Sequence, residues 1–255
     1  MAFLPPTTII PLSPYKSKYL LKNYLLEALF TSDEEIGLIG ATALDTSVLK
    51  GKLMVNIDSD EEGVFTVGCA GGVRMDIELD AEREENPSDN LYRIGVSGLL
   101  GGHSGTEIDK NRANAIKLLS EIIGNADGVK LVDISGGNAD NAIPRFAECT
   151  VAINDSRFIE EKLIPAITEK YAESEPDLSI KFERITGAQK AITAADSAKI
   201  LGVIKETPTG VYKMSEDIPG LPETSSNLGT IKSEGGRVKL ATSVRSSKNS
   251  EKLAL

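Results

Sequence analysis

Apolar and polar residues follow two different patterns along the chain. The run Leu25–Phe30 is short and apolar, and it is followed by the acidic segment Asp33–Glu35. The stretch Ile36–Leu49 fits a helix, and Lys52–Ile57 fits a second strand that also leads into acidic residues. Strand, helix and strand in this order are typical of a βαβ unit. Residues 25–72 are therefore predicted to hold part of a mostly parallel sheet.

After the glycine-rich segment Gly68–Gly72, which is predicted to be a hinge, the pattern changes to separate strands and amphipathic helices. Helices are predicted at Asn111–Ile123, from Ser156 to about Glu173, and from Ser197 onward. Strands are predicted at Arg74–Leu79, Tyr92–Ser97, Val129–Ile134, Ala147–Ile153, Leu178–Ile185, Val211–Met214, Gly229–Lys232 and Val238–Val244. Residues 73–255 are therefore expected to form an α+β domain with helices over an antiparallel sheet. The fold class predicted for the whole chain is α/β and α+β.

The two ends of the sequence differ from this pattern. Residues 1–24 contain four prolines, which interrupt both helices and strand ladders, so they are predicted to be a poorly ordered lead-in. They lack the basic segment and the cleavage site of a signal peptide. The chain ends in SEKLAL, which resembles the first turn of a new helix. The second domain is therefore expected to be truncated at its C-terminal end.

Composition limits the classes of function. Lysine and arginine number 28 against 38 acidic residues, which gives a net charge of −10, so nucleic-acid binding is disfavoured. No apolar stretch is long enough for a membrane span. Two cysteines rule out a disulfide framework and favour a reducing, cytoplasmic environment. The sequence contains a single histidine, His103, so a metal site would have to consist mostly of carboxylates.

The acidic residues after the two predicted strands are the strongest candidates for chemistry. Adjacent carboxylates can divide two roles, because one can bind a metal while the other takes a proton from bound water. Glu34 and Glu35 are such a pair, and Asp58 follows the neighbouring predicted strand. Parallel strands end at the same edge of a sheet, so the three carboxylates are expected to cluster there. A solvated acidic loop is the competing interpretation.

Several motifs together resemble one enzyme family. They occur in the order LLEALFTSDEEIG, VNIDSDEEG, GCAGG, GLLGGHSG, GGNADNAIPR, PETSSNLG and VRSS. This series resembles the aminoacyl-histidine dipeptidases, which are also called peptidase D or cytosol non-specific dipeptidases. The resemblance implies a cytoplasmic di-zinc metallopeptidase with a catalytic α/β domain, a lid domain and a homodimer formed through the lid. It runs from about Leu25 to Leu255 and is similar to an internal fragment lacking both ends.

The resemblance also implies roles for individual residues. Glu34 matches the general base, Glu35 a ligand of one zinc, and Asp58 a ligand of the other. His103, which lies among glycines that allow a tight turn, matches a lid histidine that holds the substrate. The alternative for a single histidine is a packed structural role.

Three further residues are candidates for substrate binding. Asn141 and Arg145 are possible anchors for polar groups, and Arg245 is a second candidate for the carboxylate of a dipeptide. For each arginine the alternative is a surface ion pair. Ser225, Ser226 and Asn227 could line the cleft or form a turn, and the sequence leaves this open.

The chain also departs from the family pattern. A histidine-x-aspartate motif, a bridging aspartate and a late histidine ligand cannot be assigned to it. The two remaining carboxylates would make at most a weak, hydrated site. One interpretation is therefore a zinc dipeptidase for Xaa-His and other dipeptides, whose chain as written is inactive alone. The other is a non-catalytic lid and dimerisation module that binds peptides or other proteins.

Overall fold

The computed structural model describes residues 7–12, 26–34, 38–57, 62–66, 68–85, 90–126, 128–187 and 189–255. The chain divides into two compact units, residues 1–65 and residues 66–255. Both helices and strands are present, and the second unit contains a large antiparallel sheet. The expected mixed class, α/β and α+β with an antiparallel sheet, is confirmed. None of the helices in the described residues is long and apolar enough to cross a membrane.

The first unit contains one pair of strands. Strand β1 (Thr7–Leu12) pairs antiparallel with β2 (Leu26–Thr31). A short helix, α1 (Ile39–Thr42), and a 3-10 turn at Thr46–Val48 follow. The longer helix predicted over residues 36–49 is interrupted because the Asp45 side chain accepts a hydrogen bond from the Ser47 amide and starts a new turn.

Two predictions for this unit need correction. The strand predicted at Lys52–Ile57 is not formed, and the described strand pair is antiparallel instead of parallel. A buried parallel strand needs neighbouring strands and covering helices. The described residues of the first unit provide neither beside 53–57, and the side chain of Ile57 is 90% exposed. Asp58 lies outside the described residues.

One of the four prolines of the lead-in lies within a strand. Pro11 lies within β1, opposite Glu27 in the register of the pair. In the described residues this sheet has two strands, so each strand has a free edge. A proline is tolerated on an edge strand, where its missing amide hydrogen can face away from the partner.

The second unit is built on one sheet, whose strands pair antiparallel throughout the described residues. Its strands in chain order are β3 (Gly71–Asp80), β5 (Leu91–Ser97), β7 (Lys130–Gly136), β9 (Ala147–Ala152), β10 (Ser179–Ile185), β12 (Gly210–Met214), β13 (Pro222–Glu234) and β14 (Arg237–Ser246). Across the sheet the order is β10-β5-β9-β7-β13-β14-β3, and β12 pairs with the first half of β13. Two short ribbons, β4 (Arg83–Glu84) with β11 (Ala191–Ile192) and β6 (Gly102–His103) with β8 (Ala142–Ile143), lie outside it.

Helices pack on this sheet and form the core with it. They are α2 (Ala115–Gly124), α3 (Ile164–Tyr171, preceded by a π-helical turn at Ile159–Leu163), α4 (Ala194–Glu206) and the short α5 (Asn249–Lys252). The apolar stripe predicted for α2 is buried: Leu119, Ile122 and Ile123 are each 0% exposed. These side chains join Ile94, Ile134 and others in one hydrophobic cluster. The predicted arrangement of helices over an antiparallel sheet is therefore confirmed.

Several helix and strand boundaries differ from the predicted ones, and each difference has a local cause. Helix α2 begins at Ala115 instead of Asn111, because Asn114 caps it by accepting hydrogen bonds from the amides of Ile116 and Lys117. Gly71 and Gly72, predicted as part of a hinge, enter the sheet, since β3 begins at Gly71. Strand β13 begins at Pro222, before the predicted Gly229, because a run of buried polar residues belongs to it.

Candidate functional site

Of the three acidic residues predicted for the catalytic site, Glu34 lies within the described residues. Glu34 follows β2 in a tight turn, where Asp33 has a φ of 57° and the Glu34 carbonyl accepts a hydrogen bond from the Leu38 amide at 3.0 Å. Its side chain is exposed. Glu35 and Asp58 lie outside the described residues. The parallel strand ends that were expected to bring these acids together are not formed among the described residues, so their clustering stays a prediction.

The described residues do not form a catalytic zinc site. Such a site usually takes three protein ligands and an open position. No group of three or more histidine, cysteine, aspartate or glutamate side chains comes together within the described ranges. The single histidine of the sequence lies in the second unit, where backbone amides already donate to its Nδ1. We therefore assign no chemical step to a metal in this chain.

A loop of the second unit presents His103. Gly102 and His103 form β6, which pairs with Ile143 and Ala142 of β8. The Ser104 amide extends this contact by donating to the Asn141 carbonyl at 2.8 Å. Gly102 has a φ of 136°, and a Cβ there would overlap the side chain of Glu107. The glycines therefore allow the tight path that leaves the His103 side chain exposed.

The His103 ring has a defined orientation. Its Nδ1 accepts hydrogen bonds from the amides of Gly105 at 3.3 Å and Thr106 at 3.2 Å. Two backbone donors on Nδ1 leave the proton of the neutral ring on Nε2, which has no hydrogen-bond partner among the described residues and can donate to a ligand. The exposed side chain agrees with the expectation that the flanking glycines expose His103, and its role in substrate binding stays a prediction.

The loop after β7 crosses the sheet at β13. Asn227 of β13 donates from Nδ2 to the carbonyls of Asp140 and Ala142, at 3.0 and 2.9 Å. Gly229 lies so close to this loop that a Cβ there would overlap the backbone of Asp140. The segments that carry His103 and Asn141 are therefore held against the polar half of β13. Oδ1 of Asn227 is buried without a hydrogen-bond partner among the described residues.

Arg245 lies beside His103. A Cβ added at Gly105 would lie 3.0 Å from Cε1 of His103 and 3.4 Å from Cζ of Arg245. The His103 ring and the Arg245 guanidinium therefore both lie next to Gly105. Arg245 comes from β14, opposite Ser225 of β13 in the register. Its Nε is buried and has no hydrogen-bond partner in the part of the chain that the structure describes. Ser104 Oγ, in the same loop as His103, is likewise buried and unpartnered.

The chain resembles known dipeptidases in sequence and in fold. Residues 94–178 match the model of the peptidase dimerisation domain. The chain is 34% identical over 230 residues to the cytosol non-specific dipeptidase of Escherichia coli (strain K12), covering 87% of this chain and 47% of that protein. The crystal structure of aminoacylhistidine dipeptidase from Vibrio alginolyticus superimposes with a TM-score of 0.77 at 32% identity, covering 94% of this chain and 50% of that one. The chain is a homologue of the cytosol non-specific dipeptidases. It spans about half the length of the relatives it matches.

The two arginines predicted to anchor substrate in this dipeptidase homologue have different surroundings. Arg145 donates from Nε to the Leu99 carbonyl at 3.0 Å. It lines a cavity of about 650 Å³ together with Glu107, Arg112 and Phe146, and the described lining residues include neither His103 nor Arg245. The structure therefore brings the Arg245 guanidinium close to the His103 ring, and it places Arg145 in a cavity that Gly102 of the same ribbon also lines. The exposed side chain of Asn141 belongs to the segment that pairs with the His103 ribbon.

Sequence reasoning missed the acidic residue that braces the His103 loop. Glu107 accepts the His103 amide at 3.0 Å and forms ion pairs with Lys110 and Arg112, both at 2.9 Å. Hydrogen bonds from Lys110 and from the His103 amide, with the charge of Arg112, lower the pKa of Glu107 to about 2. Its position four residues after His103 would have been the only signal in the sequence, since that spacing allows contact across a single turn.

Proposed function

We propose that the second unit binds a dipeptide by its terminal carboxylate, with Arg245 as the carboxylate anchor and His103 as its neighbour. The observation that supports this most directly is the buried Nε of Arg245, which has no hydrogen-bond partner among the described residues and lies beside an exposed histidine. The residue is half-buried, and a buried Nε–H that lacks a partner among the described residues carries a desolvation cost, which the charge-assisted pair with an incoming carboxylate would offset.

Further polar groups around this point suit the rest of a peptide. Ser104 Oγ and Asn227 Oδ1 are buried without partners, and they provide a hydroxyl and an amide acceptor near the ribbon that carries His103. A peptide has one amide donor and one carbonyl acceptor to satisfy. We propose that His103 Nε2 donates to a ligand oxygen and that Asn141, beside it, contacts the peptide backbone. Arg145 would act in the adjoining cavity instead of at this carboxylate.

The hydrolytic roles belong to the same proposal at the level of the whole dipeptidase. We propose Glu34 as the general base and Glu35 and Asp58 as zinc ligands, acting on Xaa-His and other dipeptides. This rests on their match to the family motifs and on the 34% identity to a named dipeptidase. With one histidine in the sequence, the donor set is incomplete. We therefore expect that this chain binds dipeptides but does not hydrolyse them alone.

Dimer formation through the lid and a cytoplasmic location complete the proposal. His103 lies within residues 94–178, which match the peptidase dimerisation domain. We therefore propose that the dimer interface lies close to the peptide site. The name of the Escherichia coli relative places that protein in the cytosol. The competing function is a non-catalytic lid and dimerisation module that binds peptides or other proteins, and it predicts binding without turnover under every condition.

The carboxylate anchor can be tested by calorimetry with alanyl-histidine and its C-terminal amide. Arg245→Gln should weaken binding of the free-acid dipeptide by about tenfold or more, because a charge-assisted pair is lost. Arg237→Gln is the matched control, since Arg237 lies on the same strand and pairs with Glu78 at 2.8 Å. Equal affinity for acid and amide, or an unchanged affinity in Arg245→Gln, would contradict the proposal.

Turnover is tested separately with added zinc or manganese. We expect no hydrolysis of Xaa-His dipeptides above the level of the Glu34→Ala variant. Metal-dependent turnover that Glu34→Ala abolishes would show instead that a complete site forms, with ligands that a partner subunit supplies.

A further inference from the structure

One buried carboxylate holds both ends of the loop that carries His103. Glu175 lies in the turn after α3 and is 1% exposed. Its Oε2 accepts a hydrogen bond from the Leu100 amide at 2.7 Å, and its Oε1 accepts one from the Ala113 amide at 2.8 Å. These two amides flank residues 101–112, which contain the His103 ribbon. A single side chain therefore closes the whole loop at its base.

The position of Glu175 is itself fixed by its own backbone. Its amide donates to the Tyr171 carbonyl at 2.8 Å, and its carbonyl accepts from the Leu178 amide at 3.0 Å. The following turn packs directly on the start of the loop, because a Cβ at Gly98 would overlap the Asp177 carbonyl. Gly98 has a φ of 80°, which glycine adopts without strain. The carboxylate is thus fixed relative to the end of β5.

Inside the loop, a second set of contacts connects the base to the ring. Glu107 accepts the His103 amide, and the His103 carbonyl accepts the Glu107 amide at 3.0 Å. The amides of Gly105 and Thr106 then hold Nδ1 of the ring. The orientation of His103 therefore depends on the path of the loop backbone, which Glu175 sets at both ends.

We propose that Glu175 is a positioning residue for His103, acting through the Leu100 and Ala113 amides. The carboxylate is suited to this role because both of its oxygens accept hydrogen bonds. Glutamine has the same shape, but its amide nitrogen donates, so it can satisfy only one of the two backbone donors. Losing one contact at a buried site would free one end of the loop. The consequence for ligand binding rests on the proposed function, whereas the consequence for the ring does not.

The chain has a single histidine, so its imidazole gives one set of ¹⁵N ring resonances. In wild type we expect one species protonated at Nε2. In Glu175→Gln the ring resonances should shift or divide between two tautomers. The backbone amide resonances of the core strand Ala147–Ala152 should keep their wild-type positions. Glu173→Gln is the matched control, because Glu173 is exposed in the same turn. Ring resonances of Glu175→Gln that superimpose on wild type would overturn the proposal.

A measurement on the wild-type chain covers the case in which Glu175→Gln does not fold. The Leu100 and Ala113 amides share one acceptor group, so their hydrogen exchange should be slow and should speed up together with denaturant. Fast or unrelated exchange of the two amides would overturn the proposal.

Binding of alanyl-histidine should be about tenfold weaker in Glu175→Gln than in Glu173→Gln. If wild type binds no dipeptide, the proposed function fails, and the ring resonances still decide the role of Glu175.

Discussion

The two units of the chain use apolar residues in opposite ways. In the second unit, Leu119 and Ile122 are fully buried under the sheet. In the first unit, the apolar stretch Leu53–Ile57 is largely exposed: Leu53 is 86% exposed and Ile57 is 90% exposed. The sequence pattern favours regular structure in both places, a helix around Leu119 and Ile122 and a strand at Leu53–Ile57. The difference lies in the neighbouring elements, since the described strands of the first unit form one antiparallel pair, whereas eight strands of the second unit form one sheet.

This contrast shows that an apolar run predicts a strand only when other elements can pair with it and cover it. Residues 53–57 follow the Lys50 and Gly51 amides, which are tied to the Glu27 carboxylate at 2.9 and 2.7 Å. That contact fixes where the segment begins but places no strand beside it. The polar half of β13 is the opposite case, because its residues look like a turn and are buried between β12 and β14.

The two units should differ most in how much stability is lost when one apolar side chain is shortened in each. Leu119→Ala should lower the free energy of unfolding by about 3 kcal/mol, because it leaves a cavity under the sheet. Leu53→Ala should change it by less than about 0.5 kcal/mol, because the side chain is exposed. Urea unfolding followed by circular dichroism measures both. A Leu53→Ala effect as large as that of Leu119→Ala would mean that residues 53–57 are buried in solution.

Helix caps give a smaller version of the same comparison. Asn114 is 7% exposed, caps α2 and also donates to the Leu228 carbonyl at 2.8 Å. Asn114→Ala should lower the free energy of unfolding by about 1–2 kcal/mol. Asp45 caps the exposed 3-10 turn of the first unit.

Asp45→Ala is the control for that measurement and should leave the urea midpoint unchanged. If both cap variants shift the midpoint equally, burial does not explain the contrast between the units.

The smallest effect should be a pH dependence at the His103 loop. The pKa of Glu107 is lowered to about 2 in the folded protein, mainly by hydrogen bonds from Lys110 and from the His103 amide. A lowered carboxyl pKa adds stability above the unfolded value of 4.5, and that stability is lost as the pH falls toward 2. Wild type should therefore lose stability more steeply over this range than Glu107→Gln.

Urea midpoints measured at several pH values between 5 and 2 check this. Glu173→Gln serves as a control and should follow the wild-type slope. A Glu107→Gln slope equal to that of wild type would mean that the ion pairs with Lys110 and Arg112 do not persist in solution.

Much of the second unit could be predicted from the sequence, because its strands and helices carry regular apolar patterns. The stripe on α2 and the glycines around His103 both predicted their structural context. The site was harder to predict. The ribbon between β6 and β8 and the register of β13 with β14 join residues that are far apart in the chain, and no local pattern encodes that pairing.

The proposed role of Glu175 could not be predicted from the sequence either, since its partners are backbone amides, which every residue type except proline provides. The placement of Arg245 beside His103, and of Arg145 in the adjoining cavity, likewise depends on tertiary contacts. In the first unit the acidic motif could be recognised by its resemblance to dipeptidases. Its geometry could not be predicted, because the expected neighbouring strand is not formed.

The most direct test of the central claim is a titration of the ¹⁵N-labelled chain with unlabelled alanyl-histidine, without added metal. His103 is the only histidine of the chain, so its ring resonances report on the proposed site alone. We predict a saturable shift of these resonances with the free-acid dipeptide and a much weaker response to the C-terminal amide. No shift, or the same shift with acid and amide, would contradict the claim that the second unit binds a dipeptide carboxylate beside His103.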